Sequence, residues 1–166
     1  MIEKPGICEL DAASYHADPC QSASLSAGLA NDLDKRSPLH AWTNSRRLNP
    51  NYEEQESATF DLGSACHAML LEAGAGVMFL EFDDWRTKDA KAARDHAREQ
   101  GRMPILAKHE PKLRAILAKA RDAIGANAFL RAAFEDGKNE QSIFWTQGPT
   151  WCRARPDVLA NSRKLI

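Results

Sequence analysis

The periodicity of this chain changes once. From Ser24 to Phe134 apolar residues recur mainly at helical spacing. From Glu140 onward the short runs "EQSIFW" and "TWCRARPDVLA" read as strands, divided by a turn at Gln147-Gly148-Pro149. Helices first and a strand meander afterwards predict an α+β domain. A two-strand hairpin with a third strand starting at Leu165-Ile166 is not a stable sheet. On this reading the sheet is only beginning where the sequence ends.

The helical part divides at recognisable caps. "SLSAGLANDLDKRSPLHAW" predicts two short helices, the first capped by Ser24 or Ser26, the second by Ser37 with Pro38 at its first position. "FDLGSACHAMLLEA" is apolar nearly all round, which predicts a buried helix capped by Asp61 and stopped by Gly74. "TKDAKAARDHAREQG", capped by Thr87 and stopped by Gly101, offers only alanines as an apolar face and so predicts a surface helix. "PKLRAILAKARDAIG" aligns Leu113, Ile116, Leu117, Ala120 and Ile124 between Pro111 and Gly125. "NAFLRAAF" is a short helix ahead of Asp136-Gly137, and residues 1–23 read as an irregular lead-in.

Composition sets bounds on partners. One domain spanning residues 1–166 is the expectation for this length. Hydrophobic residues make 43% and charged residues 27%, so disorder does not describe the whole chain; the net charge of −1 means any basic surface is local. The apolar run "ACHAMLLEAGAGVMFL" is broken by His67 and Glu72 and falls short of a membrane span. "MIEKPGICEL" has no secretory h-region. Cys8, Cys20, Cys66 and Cys152 are scattered without a C-x-x-C pair, which favours reduced thiols in the cytoplasm over a zinc site or disulfides. No Gly-rich phosphate loop, G-x-S-x-G or H-E-x-x-H occurs.

Asp157 is the residue with most chemical consequence. Read with period two, it shares a face with Trp151, Arg153 and Arg155. It is either a solvated strand residue paired with those arginines or a ligand for a divalent cation, with the arginines receiving a phosphodiester. His67 is either a hydrogen-bonded core residue or a metal ligand. Glu140 is either a solvated strand end or a second carboxylate, and it gains weight because the short turn lays its strand beside that of Asp157. In Trp85-Arg86-Thr87-Lys88, Arg86 and Lys88 are either solvated or a basic patch with an aromatic for nucleic acid. "DKRSPLHAW" offers a packing turn or a DNA contact, with Pro38, Leu39 and Trp42 read as core-fillers.

Four stretches in order carry a resemblance: "SASLSAGLANDLDKRSPLHAW", "FDLGSACHAMLLE", "DDWRTKDAKAARDHAREQGRMPIL" and "EQSIFWTQGPTWCRARPDVLA". Together they resemble the PD-(D/E)xK nuclease-like domain of phage and prophage RecE-type proteins, the exodeoxyribonuclease VIII family. The resemblance implies a restriction-endonuclease-like sheet with flanking helices. It also implies a Mg²⁺- or Mn²⁺-dependent exonuclease that resects double-stranded DNA ends, a strand-annealing partner for recombination, and no membrane, and it leaves a homo-oligomer open. It implies that His67, in the G-x-x-x-H stretch from Gly63, and Asp157, in R-x-R-x-D, hold the metal. Glu140 matches the acid ahead of the preceding strand. Arg153, Arg155, Arg86 and Lys88 are the expected DNA contacts.

The family's D/E-x-K, on the next strand, has no counterpart after Asp157; Asp89-Ala90-Lys91 and Asp136-Gly137-Lys138 come too early. The expectation is a C-terminally incomplete nuclease domain whose 166 residues alone hydrolyse little DNA. The alternative is a non-catalytic remnant of that fold acting as a DNA-binding or protein-interaction module. Pro156 predicts a bulge or an edge beside Asp157.

Overall fold

The structure, a computed structural model, describes residues 1–53, 58–71 and 76–161. It is mixed α and β, and the chain divides into two compact units, Met1–Glu54 with Ala132–Ile166, and Gln55–Arg131. Among the described residues no helix is long and apolar enough to cross a membrane.

The first unit is built on a four-stranded mixed sheet. The expected hairpin is β6 (Gln141–Gln147) and β7 (Thr150–Ala154), antiparallel and closed by the two residues Gly148-Pro149. Gly148 has φ +59, which a glycine adopts without a Cβ clash. The neighbours of this hairpin come from the opposite end of the sequence. β1 (Gly6–Glu9) pairs antiparallel with β6, and β2 (Ser24–Ser26) pairs parallel with β7. The first 23 residues are therefore no irregular lead-in: they also supply α1 (Ala12–His16), capped by Asp11, and a bridge from Ile2 to Cys20. Tyr15, Cys20, Phe144 and Trp151 form the core here, with Ile2, Cys8 and Leu10 against it.

α2 (Ala27–Lys35) and α3 (Pro38–Thr43) follow β2. Ser26 caps the first, its Oγ accepting from the Leu29 N–H at 3.3 Å, and Ser37 caps the second. Ser24 is not a cap, because it lies in β2. Leu39 and Trp42 are 68% and 43% exposed, so they are not the core-fillers that their apolarity suggested. All four cysteines are free thiols.

The second unit holds two elements that the helical pattern hid, β3 (Val77–Leu80) and β4 (Met103–Leu106), a parallel pair. α5 (Lys88–Glu99), capped by Thr87, connects them and buries Ala90 and Ala97, so its alanine face is the inward one. α4 (Ala58–Leu71) starts ahead of Asp61, which leaves Asp61 inside the first turn instead of at the cap; Gly74 lies outside the described residues. α6 (Glu110–Ala126) buries Leu113 and Leu117 but leaves Ile116 45% exposed. Ala65, Ile105 and Leu113 are the centre of this core. α7 (Ala128–Asp136) then leads back to the first unit.

After α7, β5 (Lys138–Asn139) pairs antiparallel with β8 (Val158–Leu159). Their register is the one that β6 and β7 keep, so the whole 138–159 segment is one long hairpin with a gap in its ladder. Pro156 sits in that gap, where it has no N–H to donate.

Candidate functional site: paired carboxylates at a break in the hairpin

Carrying the Asn139↔Val158 register one step on sets Glu140 opposite Asp157, and a further two steps set Ser142 opposite Arg155. One backbone hydrogen bond survives in the gap, from the Glu140 N–H to the Asp157 carbonyl oxygen at 3.2 Å. Glu140 has φ +56, the left-handed region, which turns the strand at this point. The result is a bend with one carboxylate from each strand. Glu140 is half-buried and Asp157 exposed, and each offers a carboxylate oxygen within 4.8 Å of the other's.

This donor set fits a hard divalent cation, which takes oxygen ligands. Metal–oxygen bonds of about 2.1 Å put opposed oxygens on one ion about 4.2 Å apart. Oxygens within 4.8 Å of each other are compatible with that. Two carboxylates suit any such cation and do not single out Mg²⁺. His67 lies half-buried on α4, in the other unit.

The arginines share the face that the alternation gives them, both guanidiniums lying over the Tyr15 ring, but that face is packed inside the unit. The ladder breaks only beyond them, at Pro156. Both faces of β7 are covered, with Cys152 and Arg153 alike buried. Arg153 is 7% exposed, and its Nη1 lies 3.0 Å from Asp18 Oδ1 and donates to the Ser24 carbonyl oxygen at 3.0 Å. Ser24 in turn donates its N–H and Oγ–H to Asp18 at 2.8 and 2.7 Å. Arg153 thus ties β7 to β2 and to the turn before it, and a guanidinium so enclosed has no face for a DNA phosphate. Its Cζ lies 5.6 Å from the centre of the Tyr15 ring. Burial pushes the Tyr15 phenol above its ordinary value, against the pull of Arg153 and Arg155.

Arg155 pairs with Glu140, Nε to Oε2, and its Nη1 donates to the Leu10 carbonyl oxygen at 2.5 Å and to Ser142 Oγ at 3.2 Å. Its contact is with the protein's own acid. Arg86 and Lys88 are exposed in the second unit. Arg86 is held by Asp84, Nε to Oδ2 at 2.7 Å, which drives the Asp84 carboxyl below its ordinary value. Lys88 opens α5. A nearby groove of about 860 Å³ is lined by the acids Glu81, Asp83, Asp84 and Glu110 and the bases Lys108 and Arg114, an acidic excess that does not favour a phosphate.

Asp18, Ser24 and Tyr15 are the site's neighbours that sequence reasoning missed. The usable signal was the arginine pair itself: two arginines on a short strand with apolar neighbours require an acid, and Asp18 lies in the stretch set aside as irregular. Comparison with known proteins adds no family name, since no family model, curated protein or solved structure matches the chain.

Proposed function

We propose that this chain carries the metal-binding part of a cytoplasmic PD-(D/E)xK-type DNA exonuclease of the RecE kind, acting on double-stranded ends for phage-type recombination beside a strand-annealing protein. The observation that supports it is the pairing of Glu140 with Asp157, with carboxylate oxygens within 4.8 Å at a bend in the hairpin. In this reading Asp157 and Glu140 hold Mg²⁺ or Mn²⁺. His67 is the third ligand on the strength of the sequence resemblance. The cation, when bound, stabilises charge on the phosphodiester being hydrolysed. Asp157, being exposed, is the ligand through which solvent and substrate reach the site. Arg86 and Lys88, both exposed, are the proposed DNA contacts; Arg153 is not among them.

The test is a calorimetric titration of the 166-residue chain with Mn²⁺, with duplex cleavage followed in parallel. Asp157→Asn and His67→Ala are each expected to weaken Mn²⁺ binding at least tenfold, with circular dichroism taken on each to confirm that it is folded. Wild-type protein that binds no more Mn²⁺ than Asp157→Asn would sink the metal reading.

A second reading is supported by the Arg155–Glu140 ion pair, which gives Glu140 a partner without any metal. It is a DNA-binding or protein-interaction module with no catalysis. Salt-sensitive duplex binding that is indifferent to Mg²⁺ and to Asp157→Asn would favour it.

A further inference from the structure

Resting on the metal reading, we infer that Arg155 is a positioning residue that presents the Glu140 carboxylate to the cation, and not a DNA contact. Its guanidinium is anchored by three separate segments: the Leu10 carbonyl after β1, the Ser142 hydroxyl on the opposite strand, and the Tyr15 ring of α1, 5.9 Å from Cζ. The side chain is 12% exposed. Tyr15 belongs to the unit's core. Arg155 is therefore a fixed charge.

Glu140 is the acid that Arg155 holds. Its backbone occupies a left-handed conformation that a glutamate adopts at some cost. Its side chain is 22% exposed, and its Oε2 is held by Arg155 Nε. The anchored guanidinium fixes where that carboxylate stands, and it stands with an oxygen within 4.8 Å of Asp157. A positive charge on one side also offsets the repulsion between the two acids, so the pair persists before any cation arrives. Outer partners of metal-binding carboxylates act in this way, and losing one costs about 10–100-fold in metal affinity.

A double-mutant cycle on Mn²⁺ affinity tests the role, using wild type, Arg155→Met, Glu140→Gln and the double variant, with Arg155→Lys alongside and circular dichroism on each. Arg155→Met is expected to weaken Mn²⁺ about tenfold in the wild-type background and to have no further effect once Glu140 is Gln. Arg155→Lys keeps the charge without the fork and is expected to fall between; where Arg155→Met unfolds, it carries the same comparison. An equal loss in both backgrounds, or no loss at all, overturns the role. So does a fall of about one in the salt slope of duplex binding measured in EDTA, because that would make Arg155 a phosphate contact. Failure of the underlying reading looks different: wild type itself then takes up no Mn²⁺, or Asp157→Asn leaves uptake unchanged, and the positioning role falls with it.

Discussion

Glu140 stands opposite Asp157 across the 138–159 hairpin, and its N–H donates to the Asp157 carbonyl oxygen at 3.2 Å. That single bond spans the gap that Pro156 opens in the ladder. It also holds Glu140 at φ +56, where a β-carbon crowds the backbone.

The strain can be separated from the ion pair. Glu140→Ala and Glu140→Gly both remove the carboxylate that Arg155 holds, but only glycine is at ease with a positive φ. Glu140→Gly is expected to be more stable than Glu140→Ala by about 1 kcal/mol in urea denaturation. Equal stability would mean that the bend does not hold this residue in the left-handed region.

How much of this was legible depended on the range of the interaction. Ser26, Ser37 and Thr87 cap helices through bonds to residues three positions on, so their sequence signals were sufficient. The hairpin was legible for the same reason, its strands being joined by Gly148-Pro149. β1 and β2 were not. Each is three or four residues long, and each becomes a strand only by pairing with β6 or β7 from the far end of the chain. Helical spacing identified one face of α6, and apolarity marked Leu39 and Trp42, without revealing how far either is covered, hence Ile116 and Trp42 at the surface. Glu140 and Asp157 were found because local turn geometry brings them together. Asp18 was not found as the partner of Arg153, because no local rule connects residues that distant in sequence.

Asp32 gives the first unit a dependence on acid. Asn44 Nδ2 donates to Asp32 Oδ2 at 2.7 Å and so ties α2 to the end of α3, with Arg36 on the other oxygen at 3.4 Å. The hydrogen bond from Asn44 holds the Asp32 carboxyl below its ordinary value of 3.8, against the effect of burial. A lowered folded-state pKa means that this stability is present above 3.8 and is lost as pH falls through the folded value. Asn44→Ala is expected to melt lower than wild type near neutral pH. The gap should narrow below pH 3.8, as melts taken from about pH 7 to about pH 2 would reveal. A gap that is constant with pH would separate the contribution of Asn44 from the Asp32 charge.

Gly137 lies where α7 passes into β5. A β-carbon there would overlap the Ala133 carbonyl oxygen and lie 2.6 Å from Val158 Cγ1. The first obstacle is backbone and cannot swing aside. Gly137→Ala is expected to cost about 3 kcal/mol or more, at the upper end for a single substitution. Gly125, near the end of α6, meets nothing within 4 Å. Gly125→Ala is expected to be neutral or to stabilise by up to about 1 kcal/mol. Urea midpoints of the two variants should move in opposite directions, or only the first should move; a Gly137→Ala protein as stable as wild type would show that α7 does not press on β8.

The Asp18–Arg153 pair separates a structural arginine from a DNA-binding one. Both side chains are buried, at 3.0 Å, and Asp18 also accepts two hydrogen bonds from Ser24. Removing one partner of a buried pair costs about 3–5 kcal/mol when the other charge is left uncompensated; Arg47 Nη1, 3.9 Å from Asp18 Oδ1, offsets part of that here and sets the expectation at the lower end. Against a total stability of about 5–15 kcal/mol, that is a large fraction. Arg153→Met is expected to lower the unfolding free energy from urea denaturation by this order. Adding Asp18→Asn should recover part of the loss, since Asn keeps an acceptor for the Ser24 N–H without leaving a buried charge. An arginine serving DNA phosphate would behave in the opposite manner: Arg153→Met would leave the urea midpoint where it was and weaken duplex binding, with a smaller salt slope.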